Sequence, residues 1–260
     1  MMMRKQIKTW ALAVALSSGL AACADTQTVN QQAASSYTQT VNEMKQKGVI
    51  DASSTTARRI NTVFQRIKPY AEKANDTGVP FQWQLTVMKS NELNAWAMPG
   101  GKMMFYTGLV DKLKLTDDEI AVVMGHEMAH ALKEHGKQKV NFSMATGLLG
   151  SVGNAVLAAT TGYDFSPVVS LTQEYGLNKP FSRSNETEAD EVGLLLMAEA
   201  GYNPESSIRL WQKMSEATGG SGGALEGLVS THPTNADREN NLRRLMPEAL
   251  AVYNKSRKAG

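Results

Sequence analysis

Apolar residues recur at helical spacing from Ser53 to about Asn75, where Ile60, Val63, Phe64, Ile67 and Tyr70 or Ala71 share one face. The pattern then changes. Phe81 to Lys89 alternates apolar and polar residues and predicts a strand, and Ala95 to Met98 with Lys102 to Thr107 predicts a hairpin about Pro99-Gly100-Gly101. Thr116-Asp-Asp-Glu119 has the form of a capping box, in which hydroxyl and carboxylate satisfy the free amides at a helix start. It opens a predicted helix from about Asp117 to His135, with Gly136 as terminator. Further helices are predicted from about Asn185 to Ala200, from Pro204 to Ala217 behind an Asn203 cap, and from about Thr234 to Leu245. Gly219 to Gly223 reads as a flexible loop, and no internal repeat is visible.

The amino-terminal end follows neither pattern. Met1 to Lys8 carries Arg4, Lys5 and Lys8 and no acid; an apolar stretch to Leu16 and a small-residue run to Cys23 follow. A basic start, a short apolar core and small residues before a cut site make a secretory signal, too short to span a bilayer comfortably. Leu20-Ala21-Ala22-Cys23 resembles a bacterial lipobox, which implies that Cys23 becomes the lipidated first residue. As Cys23 is the only cysteine, lipidation excludes both disulfides and a cysteine nucleophile. Ala24 after it, by the same resemblance, favours the outer membrane. Residues 24 to about 40 are rich in Gln, Ala, Ser, Thr and Asn and read as a tether. The expected organisation is a signal peptide over residues 1–22, a lipidated tether over 23–50 and one domain over 51–255. The formal charge is +2, and removal of the leader leaves 24 basic residues against 25 acids. No basic block interleaved with aromatics occurs, which sets nucleic acid aside as a partner.

Candidate chemistry lies within the 117–135 helix, where His126-Glu127-Met128-Ala129-His130 forms H-E-x-x-H. Residues i and i+4 lie one turn apart on one face, so both imidazoles can meet at one zinc ion. Glu127, rotated by about 100°, can lie beside a bound water without binding the metal. Zinc then needs a third protein ligand. His135 is about half a turn round the helix from His126, faces away, and reads as a cation at the helix C-terminus. The acidic run Asn185 to Glu191 offers Glu186 and Asp190 on a shared face, with Glu188 pointing the opposite way. One of that pair can bind zinc while the other accepts the second N–H of a ligating histidine.

His126-Glu-Met-Ala-His130 followed by Glu186-Thr-Glu-Ala-Asp190 resembles the CAAX-prenyl-protease type of zinc metallopeptidase. The resemblance spans about Phe81 to Leu245 and is nearest to the family's lipoprotein branch. It implies one Zn2+ per chain, Glu186 as third ligand and Asp190 as support behind the site. Asn94-Ala95-Trp96-Ala97 through Pro99-Gly-Gly101 is similar to the family's strand ahead of the metal helix, and His232-Pro233 with Arg238 is similar to its H-P-x-x-x-x-R element. The hairpin can offer a free edge, Asn94 to Ala97, on which an extended substrate adds as a strand. His232 suits either of two roles, oxyanion stabiliser or latch in zinc's open position. Arg238 either pairs with an active-site carboxylate or lies on a solvated face.

Val140 to Tyr163 holds no charged residue and reads as a core or lid helix, or as a contact for a membrane or assembly partner. The expected fold is α+β, a mainly helical zincin (gluzincin) with a small β-sheet beside the metal-binding helix. The expected function is a zinc endopeptidase of the bacterial cell envelope, lipid-anchored on the periplasmic side. Its expected partners are unfolded or misfolded envelope proteins, the membrane through Cys23, and the outer-membrane assembly machinery. A lipoprotein chaperone or adaptor that binds clients without hydrolysis is the alternative.

Overall fold

A computed structural model of the chain describes residues 24–142, 180–218, 228, 231–232 and 236–259. The signal peptide, Cys23, the Gly219–Gly223 loop and the uncharged segment after Phe142 lie outside these residues. The elements run α1 (Thr26–Gln46), α2 (Thr55–Lys73), β1 (Gln84–Met88), β2 (Ala95–Met98), β3 (Lys102–Tyr106), α3 (Thr107–Leu113), α4 (Asp117–Leu132), α5 (Arg183–Glu199), α6 (Ser206–Thr218) and α7 (Ala236–Ala259). The α+β expectation is met: a three-stranded sheet sits among helices. Among the described residues, no helix is long and apolar enough to cross a membrane.

β3 is the central strand. It pairs in parallel with β1, Gln84 opposite Lys102, and antiparallel with β2, Ala95 opposite Phe105. The hairpin turns at Gly100 and Gly101, whose φ angles of 76° and 82° suit glycine. A Cβ on Gly101 would stand 2.7 Å from the Trp83 ring.

Alternation along the strands sends two apolar sets to opposite faces. Ala95, Ala97, Met103, Phe105 and Val87 join the main core with α2, α4 and α5, whereas Trp96, Met98, Met104 and Tyr106 form a second cluster. That second face is covered by α1, and here the sequence reading is corrected. The stretch expected to be a tether is a 21-residue helix, capped by Asp25, that buries Val29, Ala33, Tyr37 and Val41 on the sheet. Those four residues recur every fourth position, a single narrow stripe hidden in a polar composition. Tyr37 is fully enclosed, its hydroxyl 2.6 Å from Thr86 Oγ1 and donating to the Met103 carbonyl at 3.0 Å.

α4 begins as expected, with both halves of the Thr116–Glu119 capping box formed. It is buried on nearly every side, from Ile120 to Leu132, as befits a helix at the centre of the domain. Its end differs from expectation. The helix stops at Leu132 with Lys133 as cap, and Glu134 adopts a left-handed φ of 54° before a second helical run over residues 135–142. The last helix also exceeds its expected length: α7 continues through Pro247 to Ala259.

α4 and α5 touch backbone to backbone. A Cβ on Gly193 would come within 2.7 Å of the Gly125 carbonyl carbon and the His126 nitrogen, and one on Gly125 within 2.6 Å of the Gly193 oxygen. Backbone cannot swing aside as a side-chain tip can. Gly193→Ala is therefore expected to destabilise the protein by about 1–3 kcal/mol through overpacking, read as a lower midpoint in urea unfolding. An unchanged midpoint would show that the helices separate freely.

Candidate metal centre

The contact at Gly125 and Gly193 brings the polar residues of both helices to one buried point. His126 and His130 project from α4, Glu186 and Asp190 from α5, and His232 comes from a segment held by backbone bonds: His232 N–H to the Leu228 carbonyl at 2.8 Å, Phe181 N–H to the Thr231 carbonyl at 3.1 Å and Leu228 N–H to the Leu93 carbonyl at 2.9 Å. His126, His130, Glu186 and His232 each turn one donor atom into the cluster, all within 4.8 Å of one another. His126 Nε2 is 3.0 Å from His130 Nε2 and 3.2 Å from His232 Nδ1. Glu186 Oε1 is 3.0 Å from His232 Nδ1 and 3.4 Å from His130 Nε2, and its Oε2 is 3.4 Å from His126 Nε2.

These residues fit a zinc ion. Ligand atoms placed tetrahedrally at about 2.0–2.1 Å from a zinc stand about 3.3 Å apart, close to the separations found. Three imidazole nitrogens and a carboxylate converging on one point are a donor set that a cation satisfies. Such a site is supported from behind. Asp190 Oδ1 lies 2.9 Å from His126 Nδ1, so the carboxylate fixes which nitrogen of His126 faces the cluster. Arg238 holds both acids, with Nε and Nη2 each 2.7 Å from Asp190 and Nη1 2.8 Å from Glu186 Oε2. Of the two roles the sequence left open for Arg238, the solvated face is excluded and the carboxylate pairing is observed.

The electrostatics follow from burial and these contacts. Burial would raise the Glu186 carboxyl, but hydrogen bonds from His126, His130 and His232 outweigh it and hold the group well below the usual range. Burial likewise opposes ionisation of Asp190, and Arg238 more than offsets it. Burial disfavours charge on His126, yet Asp190 and Glu186 lift that imidazole to about 9. Burial pushes His130 well below its ordinary value. Glu127 is shifted upward by burial, against the lowering effects of His232, His126 and a bond from the Ala97 amide. Its Oε1 lies 3.3 Å from His232 Nε2.

Several neighbours were not visible in the sequence. His135 does not face away from the cluster. It is fully buried, with Nδ1 2.9 Å from His130 Nδ1 and Nε2 3.1 Å from Glu188 Oε2. The break at Lys133 and Glu134 turns it through an angle that an unbroken helix would forbid. Phe181 stacks on His130 with ring centroids 4.0 Å apart. Of the expected substrate edge, Ala95 to Met98 forms β2 with Asn94 just before it, and the Ala97 amide serves Glu127.

A helix carrying H-E-x-x-H, with a buried carboxylate meeting both histidines from the next helix, defines the class: a zincin metallopeptidase. Residues 54–246 match Peptidase family M48, and the chain belongs to that family. Its cofactor is zinc, one ion per chain. It is 36% identical to Mitochondrial metalloendopeptidase OMA1 of Schizosaccharomyces pombe over 169 residues, which are 65% of this chain and 48% of that protein. It is 33% identical to the Arabidopsis thaliana OMA1 over 72% of this chain and 36% of that protein. Metalloprotease LoiP of Escherichia coli is 29% identical over 213 residues, 79% of this chain and 77% of that protein. The chain thus spans between 33% and 58% of the length of the OMA1 proteins that it matches.

Proposed function

We propose that the chain is a zinc-dependent endopeptidase of the bacterial cell envelope that cuts unfolded or misassembled proteins, with Glu127 as general base. The observation that carries this reading is the placement of Glu127: buried, adjacent in sequence to His126, outside the four-residue donor cluster yet at its edge. A binding module gains nothing from a carboxylate buried at the edge of a metal-binding donor cluster.

In this reading His126, His130 and Glu186 hold the zinc, and Asp190 with Arg238 keeps His126 and Glu186 aimed at it. Zinc supplies Lewis-acid activation of water and of the scissile carbonyl. Glu127 takes the proton from the attacking water and delivers it to the nitrogen of the leaving amine, so that acid and base are one group. The substrate backbone lies along Asn94 to Ala97, extended as a further strand. The bacterial envelope setting rests on the leader and the Cys23 lipobox, and the similarity to metalloproteases LoiP and YcaL of Escherichia coli supports it. Lipidation at Cys23 then anchors the enzyme on the periplasmic side, at the outer membrane, within reach of misfolded clients and of the assembly machinery there.

His232 is the latch in this reading. Its Nδ1 lies among the donor atoms while its Nε2 faces Glu127, so it blocks both the open zinc position and the base. The same placement favours a second reading, a client-binding chaperone or adaptor whose site stays shut. Digestion of casein by the full chain in detergent, with and without 1,10-phenanthroline, tests both. Chelator-sensitive cleavage supports the peptidase, and none by wild type or His232→Ala supports the binder. A latch closed nine parts in ten predicts about a tenfold gain for His232→Ala. Loss of zinc and of stability in that variant would instead make His232 a structural ligand.

A further inference from the structure

We infer that His135 and Glu188 form a positioning pair for His130, fixing the tautomer and ring orientation with which it meets the metal. This rests on the reading that His130 is a ligand, and it concerns two residues that neither catalysis nor ligation uses.

The argument is one of hydrogen-bond polarity. His130 Nε2 turns into the cluster, 3.0 Å from His126 Nε2 and 3.4 Å from Glu186 Oε1. A neutral imidazole that presents Nε2 as an acceptor carries its proton on Nδ1. His130 Nδ1 must therefore donate, and the atom before it, 2.9 Å away, is His135 Nδ1. His135 accepts there, carries its own proton on Nε2, and donates it to Glu188 Oε2 at 3.1 Å. The carboxylate's other oxygen faces Lys133 Nζ at 3.6 Å. Every donor meets an acceptor in only one direction, from His130 through His135 to Glu188. His126 reaches its acid, Asp190, directly at 2.9 Å. Both histidines of α4 thus end on a carboxylate, one directly and one through an inserted imidazole.

The fold goes to some length to place His135. Residues 130 and 135 of a continuous helix point about 140° apart. The chain meets at these residues because α4 stops at Leu132 and Glu134 takes a φ of 54°, rarely adopted by a non-glycine residue. That bend is held from α1. Glu134 Oε1 accepts from Thr26 Oγ1 at 2.7 Å and from Lys137 Nζ at 3.0 Å, and the Ala24 amide donates to Asn141 Oδ1 at 2.8 Å.

The test is zinc affinity of the full chain in detergent, by competition with a chromophoric chelator, together with the visible spectrum of the cobalt(II)-loaded chain. His135→Leu removes the acceptor and keeps an apolar side chain of similar bulk; it is expected to weaken zinc binding by about 10–100-fold and to alter the cobalt bands. His135→Asn puts an amide oxygen where Nδ1 stood and is expected to recover most of the affinity. Glu188→Ala, at a position with a 46% exposed side chain that folding tolerates, is expected to weaken binding several-fold. His130→Ala is the control for the underlying reading: if it keeps wild-type affinity, His130 is no ligand. If His130→Ala loses zinc while His135→Leu binds as wild type, or Asn binds as poorly as Leu, the positioning role is wrong. An unchanged Glu188→Ala would end the chain at His135 and overturn the pair.

Discussion

Glu127→Gln is expected to lower cleavage of an unfolded protein by about 10²–10⁴-fold while the chain keeps one zinc. The substitution conserves shape and leaves an oxygen to accept the Ala97 amide, so the cradle around residue 127 survives. What it removes is the only property that proton transfer needs, a carboxylate able to take a proton and give it back. The proposed ligands His126, His130 and Glu186 are untouched, and zinc content by metal analysis should equal that of the wild type. Initial rates on casein, compared at equal zinc loading, are the measurement. A variant that loses zinc as well as activity would mean that Glu127 helps to hold the metal. One that cuts at the wild-type rate would transfer the base role elsewhere.

The second large effect lies behind the metal. Arg238→Met is expected to destabilise the chelator-treated protein by about 3–5 kcal/mol, the cost of leaving buried charges without their partner. Arg238 is 2% exposed, stacks over Trp211 at 4.1 Å, and makes its contacts to Asp190 and Glu186 through three nitrogens. Methionine fills much of the space but offers no charge, so two buried carboxylates are left with imidazole contacts alone. Lysine is a poor substitute, because one ammonium cannot reproduce a fork that bonds both acids. Urea unfolding with and without zinc measures the effect, and bound zinc should recover part of it by neutralising Glu186. A loss below about 1 kcal/mol would show that water or protonation already satisfies the acids.

The sequence made the metal helix and its chemistry legible because both are local. H-E-x-x-H carries its own geometry, and Thr116 with Glu119 marks the helix start within four residues. Glu186 and Asp190 were legible as a pair through their i,i+4 spacing, although the choice of Glu186 as third ligand came from resemblance. What the sequence concealed depended on distant partners. α1 looked like a tether because its polar composition masks a stripe of four residues, and only the sheet makes sense of them. A sign was present nonetheless: Trp96, Met98, Met104 and Tyr106 give the sheet a second apolar face that some element had to cover. His135 escapes the sequence pattern because a helix continued to residue 135 would turn it away from the cluster, whereas α4 ends three residues earlier. No glycine or proline marks that end, and the left-handed turn falls on Glu134.

The contact between Gly125 and Gly193 has a consequence for which cations the protein accepts. With the two backbones already touching, α4 and α5 cannot draw closer, and Arg238 on α7 ties the acids of α5 in place. The span between the donor atoms is therefore cut to size before any ion arrives. A small cation content with four nitrogen and oxygen donors at about 2.0–2.2 Å suits that span. Calcium, which asks for six to eight oxygens at about 2.3–2.6 Å, would find too few donors, mostly of the wrong element, on helices unable to reshape around it. Two residues without side chains, one of them next to His126 in the chain, thus set how far apart the donors of α4 and α5 stand.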